Sequence, residues 1–205
     1  MDGVFMKKLL KMAAFALAVY AAFWCGSVVS DRNALNENLI RMHIVANSDS
    51  EEDQALKLKV RDAVIQKLQD TMEAFPTIEE ARKYLQSHLP ELQEFVNQVL
   101  SELGSADSAV VTLDHEPFDT REYDSFTLPA GYYEALRITI GQGQGKNWWC
   151  VVFPSLCVGS SDDFADTAAG AGFSETLTDT LQDAPQIRFF LLDWLGRVEN
   201  FFRSL

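Results

Sequence analysis

The strongest constraint on this chain is a change of period between residues 40 and 69, IRMHIVANSDSEEDQALKLKVRDAVIQKLQ. Ile40, Met42, Ile44 and Ala46 alternate with Arg41, His43, Val45 and Asn47, the period of a half-buried strand. Asn47, Ser48, Asp49 and Ser50 then break the alternation with side chains that bond nearby backbone and favour turns. Ser50 with Asp53 three residues on approximates a capping box, and Glu51, Glu52 and Asp53 set negative charge on a helix N-terminus. Leu56, Val60, Ala63, Val64 and Leu68 follow at helical spacing. The unit is therefore a strand, a tight polar turn and an amphipathic helix. Lys57, Arg61 and Asp62 read as its solvated face or as ion pairs to the turn.

Upstream, Lys7, Lys8 and Lys11 precede an uncharged run from Met12 to Val29, and the first acid after it is Asp31. Residues 1–30 read as a secretory signal or an uncleaved N-terminal anchor, leaving residues 31–205 as one exported domain. Val28-Val29-Ser30 offers small residues before a cleavage, Cys25-Gly26-Ser27 offers a second site, and the 18 residues from Met12 to Val29 just suffice to span a bilayer. Trp24 directly before Cys25 makes a poor lipobox. The lysines orient the segment, keeping themselves in the cytoplasm and sending the body outward.

Charge narrows the partners. The first 30 residues carry +2, which leaves −15 on the rest of a chain whose total is −13. So acidic a body makes poor contact with phosphate backbones, which argues against nucleic acid. Apart from Cys25 there are two cysteines, Cys150 and Cys157, on either side of a turn at Phe153-Pro154. In an oxidising compartment the two can pair; the alternative is two free core thiols. With only three histidines in the chain, no zinc site is expected, and no other cofactor.

Further along, Thr77 and Glu80 box the start of a helix to about Ser87, and Pro90 opens another carrying Leu92, Phe95, Val96, Val99 and Leu103, so a helical hairpin is expected. Residues 110–115, 132–140 and 148–153 alternate or run apolar as strands, the last dense enough in Trp and Val to be central. Between the first two lies a long loop with its own aromatics, Phe118, Tyr123 and Phe126. Between the last two, GQGQGKN at 141–147 reads as a flexible hairpin connection. Residues 159–185 read as a loose acidic excursion with one helical turn. A short strand near Gln186–Phe189 then leads into a C-terminal amphipathic helix with Ile187, Leu191, Trp194, Leu195, Val198, Phe201, Phe202 and Leu205 on its stripe. The expected class is α+β, antiparallel-type strands packed by amphipathic helices.

Candidate chemistry is thin. Gly145-Lys146 fails as a phosphate loop, because Asn147 stands where Ser or Thr should be and a strand follows. Ser48 lacks a nucleophile's context and is better explained as part of a capping turn. His115, Glu116, Asp114 and Asp119, with His43 across a sheet, are the one cluster that could serve as an acid–base or metal site. However, Asp119 stands where a helical zinc signature needs its second histidine.

Two segments together are more specific than any of these motifs. RMHIVANSDSEEDQALKLKVRDAV and DTREYDSFTLPAGYYEALRITIGQGQGKNWWCVVFPSLC, in this order behind an export segment, resemble the hallmark segments of the stage II sporulation protein R family of endospore-forming Firmicutes. The resemblance covers roughly residues 40–158. It implies a signalling protein made in the forespore and exported into the space between the two septal membranes. There it activates a membrane-embedded aspartic protease of the mother cell, which removes the inhibitory pro-sequence of the sigma-E precursor. The family has no established catalytic residues to carry over.

The expectation is therefore a signalling domain that acts by binding, with no catalytic residue. Its partner surface is expected at the Asn47, Ser48, Asp49 and Asp53 turn and at the Asp119, Arg121 and Asp124 loop. The rivals are a secreted cell-wall hydrolase centred on His115, Glu116 and Asp119, and a membrane-anchored septal scaffold that retains residues 1–30.

Overall fold

The computed structural model describes residues 3–157, 164–184 and 186–204. One helix, α1 (Gly3–Asn38), leads into β1 (Ile40–Val45), α2 (Glu51–Glu73) and α3 (Ile78–Glu102). Then follow β2 (Ala109–Phe118), β3 (Arg121–Glu122), β4 (Thr127–Leu128), β5 (Gly131–Ile140) and β6 (Asn147–Phe153). Three helices close the chain, α4 (Phe164–Gly170), α5 (Glu175–Gln182) and α6 (Ile187–Arg203). The class is α+β, as the change of period requires.

The four long strands form one sheet in the order β2-β5-β1-β6. The sheet is mixed: β1 pairs parallel with β5 and antiparallel with β6, while β2 pairs antiparallel with β5. β6 is thus an edge strand and not a central one. Its apolar density has another cause, for Cys150 to Phe153 are covered on both faces of the sheet. Nor is 141–147 a hairpin, because β1 lies between the strands that it connects.

β1 is buried along its whole length, so it is not half-exposed as its alternation suggests. Ile40, Met42 and Ile44 meet Val60, Val64 and Leu68 of α2 and Leu85, Leu92 and Val96 of α3. Arg41 and His43 point the other way, into a second core built from Phe118, Tyr133, Val151, Phe164, Leu177, Phe189 and Leu192. A polar residue on a strand signals solvent only where that face is uncovered.

The helices depart from expectation in four places. α3 is continuous, with Pro90 inside it, so there is no helical hairpin. Pro90 is exposed, which lets the carbonyl that it leaves without a donor find water. Lys57 is not on a solvated face: it is buried, and its ammonium donates to Gln54 and to the Lys146 carbonyl at 2.8 Å. The excursion after residue 159 is more ordered than its composition suggests, since α4 and α5 bury Phe164, Ala168, Leu177 and Leu181; residues 158–163 and 185 lie outside the described residues. No strand precedes the last helix, because Gln186 is already its N-cap. The inward side of α6 is Phe189, Leu192 and Gly196, while Ile187, Trp194, Phe201 and Phe202 from the expected stripe are exposed; Leu205 is outside the described residues.

α1 passes without a break through residue 30, where the sequence places the end of the export segment. Before that point it exposes Phe15, Leu17 and Phe23 and is long and apolar enough to cross a membrane. After it, Asp31, Leu35 and Leu39 are buried in the body, together with Val28 just upstream. At the far edge of the sheet Cys150 and Cys157 are joined, their Cα atoms 5.3 Å apart.

Candidate functional site

The two surfaces singled out by sequence have different roles in the structure. The 47–53 turn bonds inward. Ser48 Oγ and Asn47 Nδ2 both donate to the Asp53 carboxylate, at 2.5 and 3.1 Å, and Ser50 caps α2 by accepting the Asp53 N–H. The Ser48 hydroxyl is the chief cause of a depressed Asp53 pKa; burial opposes it, and Asn47 and Ser50 add to the fall. The same turn holds the 141–147 crossover. Asn47 Oδ1 accepts the Gln142 N–H, Asp49 Oδ1 accepts the Lys146 N–H at 2.7 Å, and Gln144 and Gly145 donate to the Asn47 and Ala46 carbonyls. Gly145 is required there, since a Cβ would lie 2.2 Å from the Ser48 carbonyl oxygen. These residues form a framework.

The 119–128 segment is a small hairpin lying over the second core. β3 pairs with β4 through Arg121–Leu128 and Glu122–Thr127. Tyr123 stacks on Phe126, and Phe126 on Phe164 at 4.3 Å, which ties the hairpin tip to α4. Asp119, Glu122 and Asp124 remain exposed at its surface. Its Arg121 guanidinium lies over the Trp149 ring at 4.7 Å, with a buried Nε that has no partner among the described residues.

Beneath the hairpin is a residue that sequence reasoning missed. Arg41 is fully buried; Nη2 donates to the Tyr123 hydroxyl at 2.8 Å, and the guanidinium sits 4.1 Å from the centre of the Phe118 ring. Among the described residues Nε and Nη1 have no partner and no carboxylate pairs with Arg41. A buried cation held by a hydroxyl and aromatic faces is costly, and the hairpin is its lid. Burial raises the pKa of neighbouring Tyr133 far above the ordinary phenol range, against the pull of Arg41, so this tyrosine is a neutral donor, to the Pro129 carbonyl. The signal was available in the sequence. β5 and β6 carry apolar residues at both parities, so both sheet faces had to be covered, including the one that bears Arg41 and His43.

The proposed acid–base cluster is not assembled as read. Glu116 meets His43, Nε2 to Oε2 at 2.9 Å, and also Arg137. His43 is buried and stacks on Trp149 at 4.7 Å. Burial works against ionisation of Glu116, but His43 and Arg137 outweigh it and keep the carboxyl below its ordinary range. His115 projects to the opposite side of β2, exposed and stacked on Tyr132. Among the described residues no three His, Cys, Asp or Glu side chains converge as metal ligands.

α6 anchors both ends of the hairpin. Asp193 accepts from the Thr120 hydroxyl and from the Ala130 N–H at 2.8 Å, Arg197 donates to Asp193 and Thr120, and Asn200 donates to the Phe118 carbonyl. Gly196 allows this approach: a Cβ there would stand 1.6 Å from the Ala130 carbonyl oxygen.

The sheet, α2, α3 and the hairpin together make up the stretch, residues 36–163, that matches the family model for stage II sporulation protein R. The chain is also 34% identical over 187 residues to stage II sporulation protein R of Bacillus subtilis (strain 168), covering 78% of this chain and 81% of that protein. The chain belongs to the stage II sporulation protein R family. Membership gives it a role in sporulation, and the relative is not named for an enzymatic activity. The family-model match ends before α4, so α4, α5 and α6, including the helix that clamps the hairpin, lie outside it. No solved structure matches the chain.

Proposed function

We propose that this protein is an exported signal of sporulation, made in the forespore, that activates the membrane-embedded aspartic protease of the mother cell processing the sigma-E precursor. It acts by binding in the intermembrane space. To activate the protease it need only bind the active arrangement better than the inactive one.

One observation supports the surface in particular. The hairpin is held rigidly at its root by α6 and at its tip by α4, yet it presents Asp119 and Asp124 to solvent. A fixed polar projection is what a recognition surface needs, because little ordering entropy remains to be lost on binding. The 47–53 turn, by contrast, spends its polar groups internally, and we place Asn47, Ser48, Asp49 and Asp53 in support of the partner surface. The Cys150–Cys157 bridge suits an oxidising space outside the cytoplasm. The apolar half of α1 fits either a signal or an anchor.

The test is an immunoblot for the sigma-E precursor in sporulating cells that lack this protein. The expected result is accumulation of unprocessed precursor, reversed by the wild type and not by Arg121→Glu or Asp124→Lys variants secreted at normal levels. Full processing by both variants would remove the hairpin from the proposal.

A further inference from the structure

The outward side of α6 is apolar from end to end. At 100° per residue, Ile187, Phe190, Leu191, Trp194, Val198, Phe201 and Phe202 fall on one face, opposite Phe189, Leu192 and Gly196. No polar residue lies among them. Ile187 is 77% exposed, Phe190 67%, Trp194 53% and Phe202 68%. A continuous aromatic surface of this kind on a water-soluble domain marks an interaction site.

Where α6 sits says what covers it. The uncharged run of α1 from Met12 to Ser30 ends at Asp31, and as a helix it is about 28 Å long, close to the thickness of a bilayer's hydrocarbon core. Asp31 therefore marks the outer membrane–water boundary if α1 spans. Arg188 of α6 donates to Asp31 at 2.7 Å, and Glu199 pairs with Arg32. Two residues eleven apart on α6, about 16 Å along its axis, thus meet neighbouring residues of α1, so the helices cross steeply. A helix that crosses a span at its exit lies roughly along the membrane surface. Its charges suit that place: residues 187–203 carry three arginines against Asp193 and Glu199, net +1 in a strongly acidic body. Amphipathic helices with Trp and Phe on the apolar side settle at this depth.

We infer that α6 is an interfacial helix, its Ile187–Phe202 face seated in the outer leaflet of the bilayer that α1 enters. Because its other side clamps the hairpin through Asp193, Gly196 and Asn200, lipid contact fixes the direction in which the hairpin points.

The test places a nitroxide on Trp194→Cys, on Phe190→Cys, and on Val110→Cys of β2 as a solvent reference, each in the full chain carrying Cys25→Ser. The chains are reconstituted in phosphatidylcholine vesicles and purified by flotation, so that every chain measured is membrane-bound. The ratio of oxygen to nickel-chelate accessibility is expected to be several-fold higher at 190 and 194 than at 110. Adding Phe201→Glu and Ile187→Glu should return position 194 to the value at 110 while flotation persists through α1. Equal ratios at all three positions would overturn the inference. So would spin–spin broadening at 194 that vanishes on dilution with unlabelled chain, which would make the face a contact between copies.

Discussion

The side-chain oxygen of Asn47 accepts a hydrogen bond from the Gln142 backbone at 2.9 Å, across 95 residues of sequence. This contact, with that of Asp49 to Lys146, fastens the end of β1 to the loop that carries the chain over it from β5 to β6. The most sharply specified polar turn in the sequence is sharply specified because the sheet depends on it.

Asn47→Ala and Asp49→Ala should therefore each lower stability, by about 0.5–1.5 kcal/mol, as the exposed Gln142 and Lys146 backbone donors exchange a fixed acceptor for water. Urea denaturation of the purified chain measures this. Unchanged midpoints together with lost signalling would mean that the turn is a contact surface after all.

Gly196→Ala should be among the most damaging small substitutions. The new Cβ would overlap the Ala130 carbonyl, so α6 must move off the sheet, at a cost of roughly 1–3 kcal/mol. Limited proteolysis should then cut within 119–128, and the wild type should resist cleavage there. A wild-type digestion pattern would show that α6 does not hold the hairpin.

Acid should loosen the same clamp. Burial disfavours the Asp193 carboxylate, but the Ala130 N–H, Thr120 and Arg197 outweigh it and keep its pKa below the ordinary 3.8. A depressed carboxyl contributes stability above its unfolded pKa and loses it as pH falls through the folded value. Hydrogen-exchange protection of the Ala130 amide should hold from neutral pH to about 4 and fall below that. In Asp193→Ala, which removes the acceptor, it should be low throughout. Protection in the variant equal to wild type would contradict the clamp.

Arg41 separates stability from function. Arg41→Met keeps the length of the stem and removes a buried cation with no carboxylate partner among the described residues, so it should leave stability unchanged or raise it. Arg41→Ala leaves a cavity and should cost about 2–4 kcal/mol. If the guanidinium is kept to position the hairpin through Tyr123, Arg41→Met should fold well and signal poorly. Thermal melts beside the precursor immunoblot decide it; a melt several degrees lower would mean that Arg41 is a structural residue only.

Much of this fold was legible in the sequence because local patterns and tertiary packing agree. The switch from IRMHIV to the helix after Ser50, the Thr77 cap and the strands at 132–140 and 148–153 are all specified within a few residues. What could not be read depended on layers that form later. The outer side of the sheet is covered by α4, α5 and α6 from the far end of the chain, so Arg41 and His43 look solvated until those helices are placed. A period of 3.6 shows that α6 has an apolar stripe. It cannot show that Phe189, Leu192 and Gly196, with Leu191 and Leu195 half-buried beside them, suffice for the inward side and leave Ile187, Phe190, Trp194, Phe201 and Phe202 outside. The hairpin at 119–128 was found as a loop rich in aromatics, and its anchoring by Asp193 was hidden by a separation of more than sixty residues.

The central claim is that this protein alone switches on the protease. The measurement is reconstitution in a non-sporulating bacterium that produces the protease and the sigma-E precursor, with this chain either exported or retained in the cytoplasm by deletion of residues 3–30. Precursor cleavage is expected only with the exported wild type, and should be lost with Arg121→Glu. Cleavage without this chain, or no cleavage with it exported and folded, would contradict that claim.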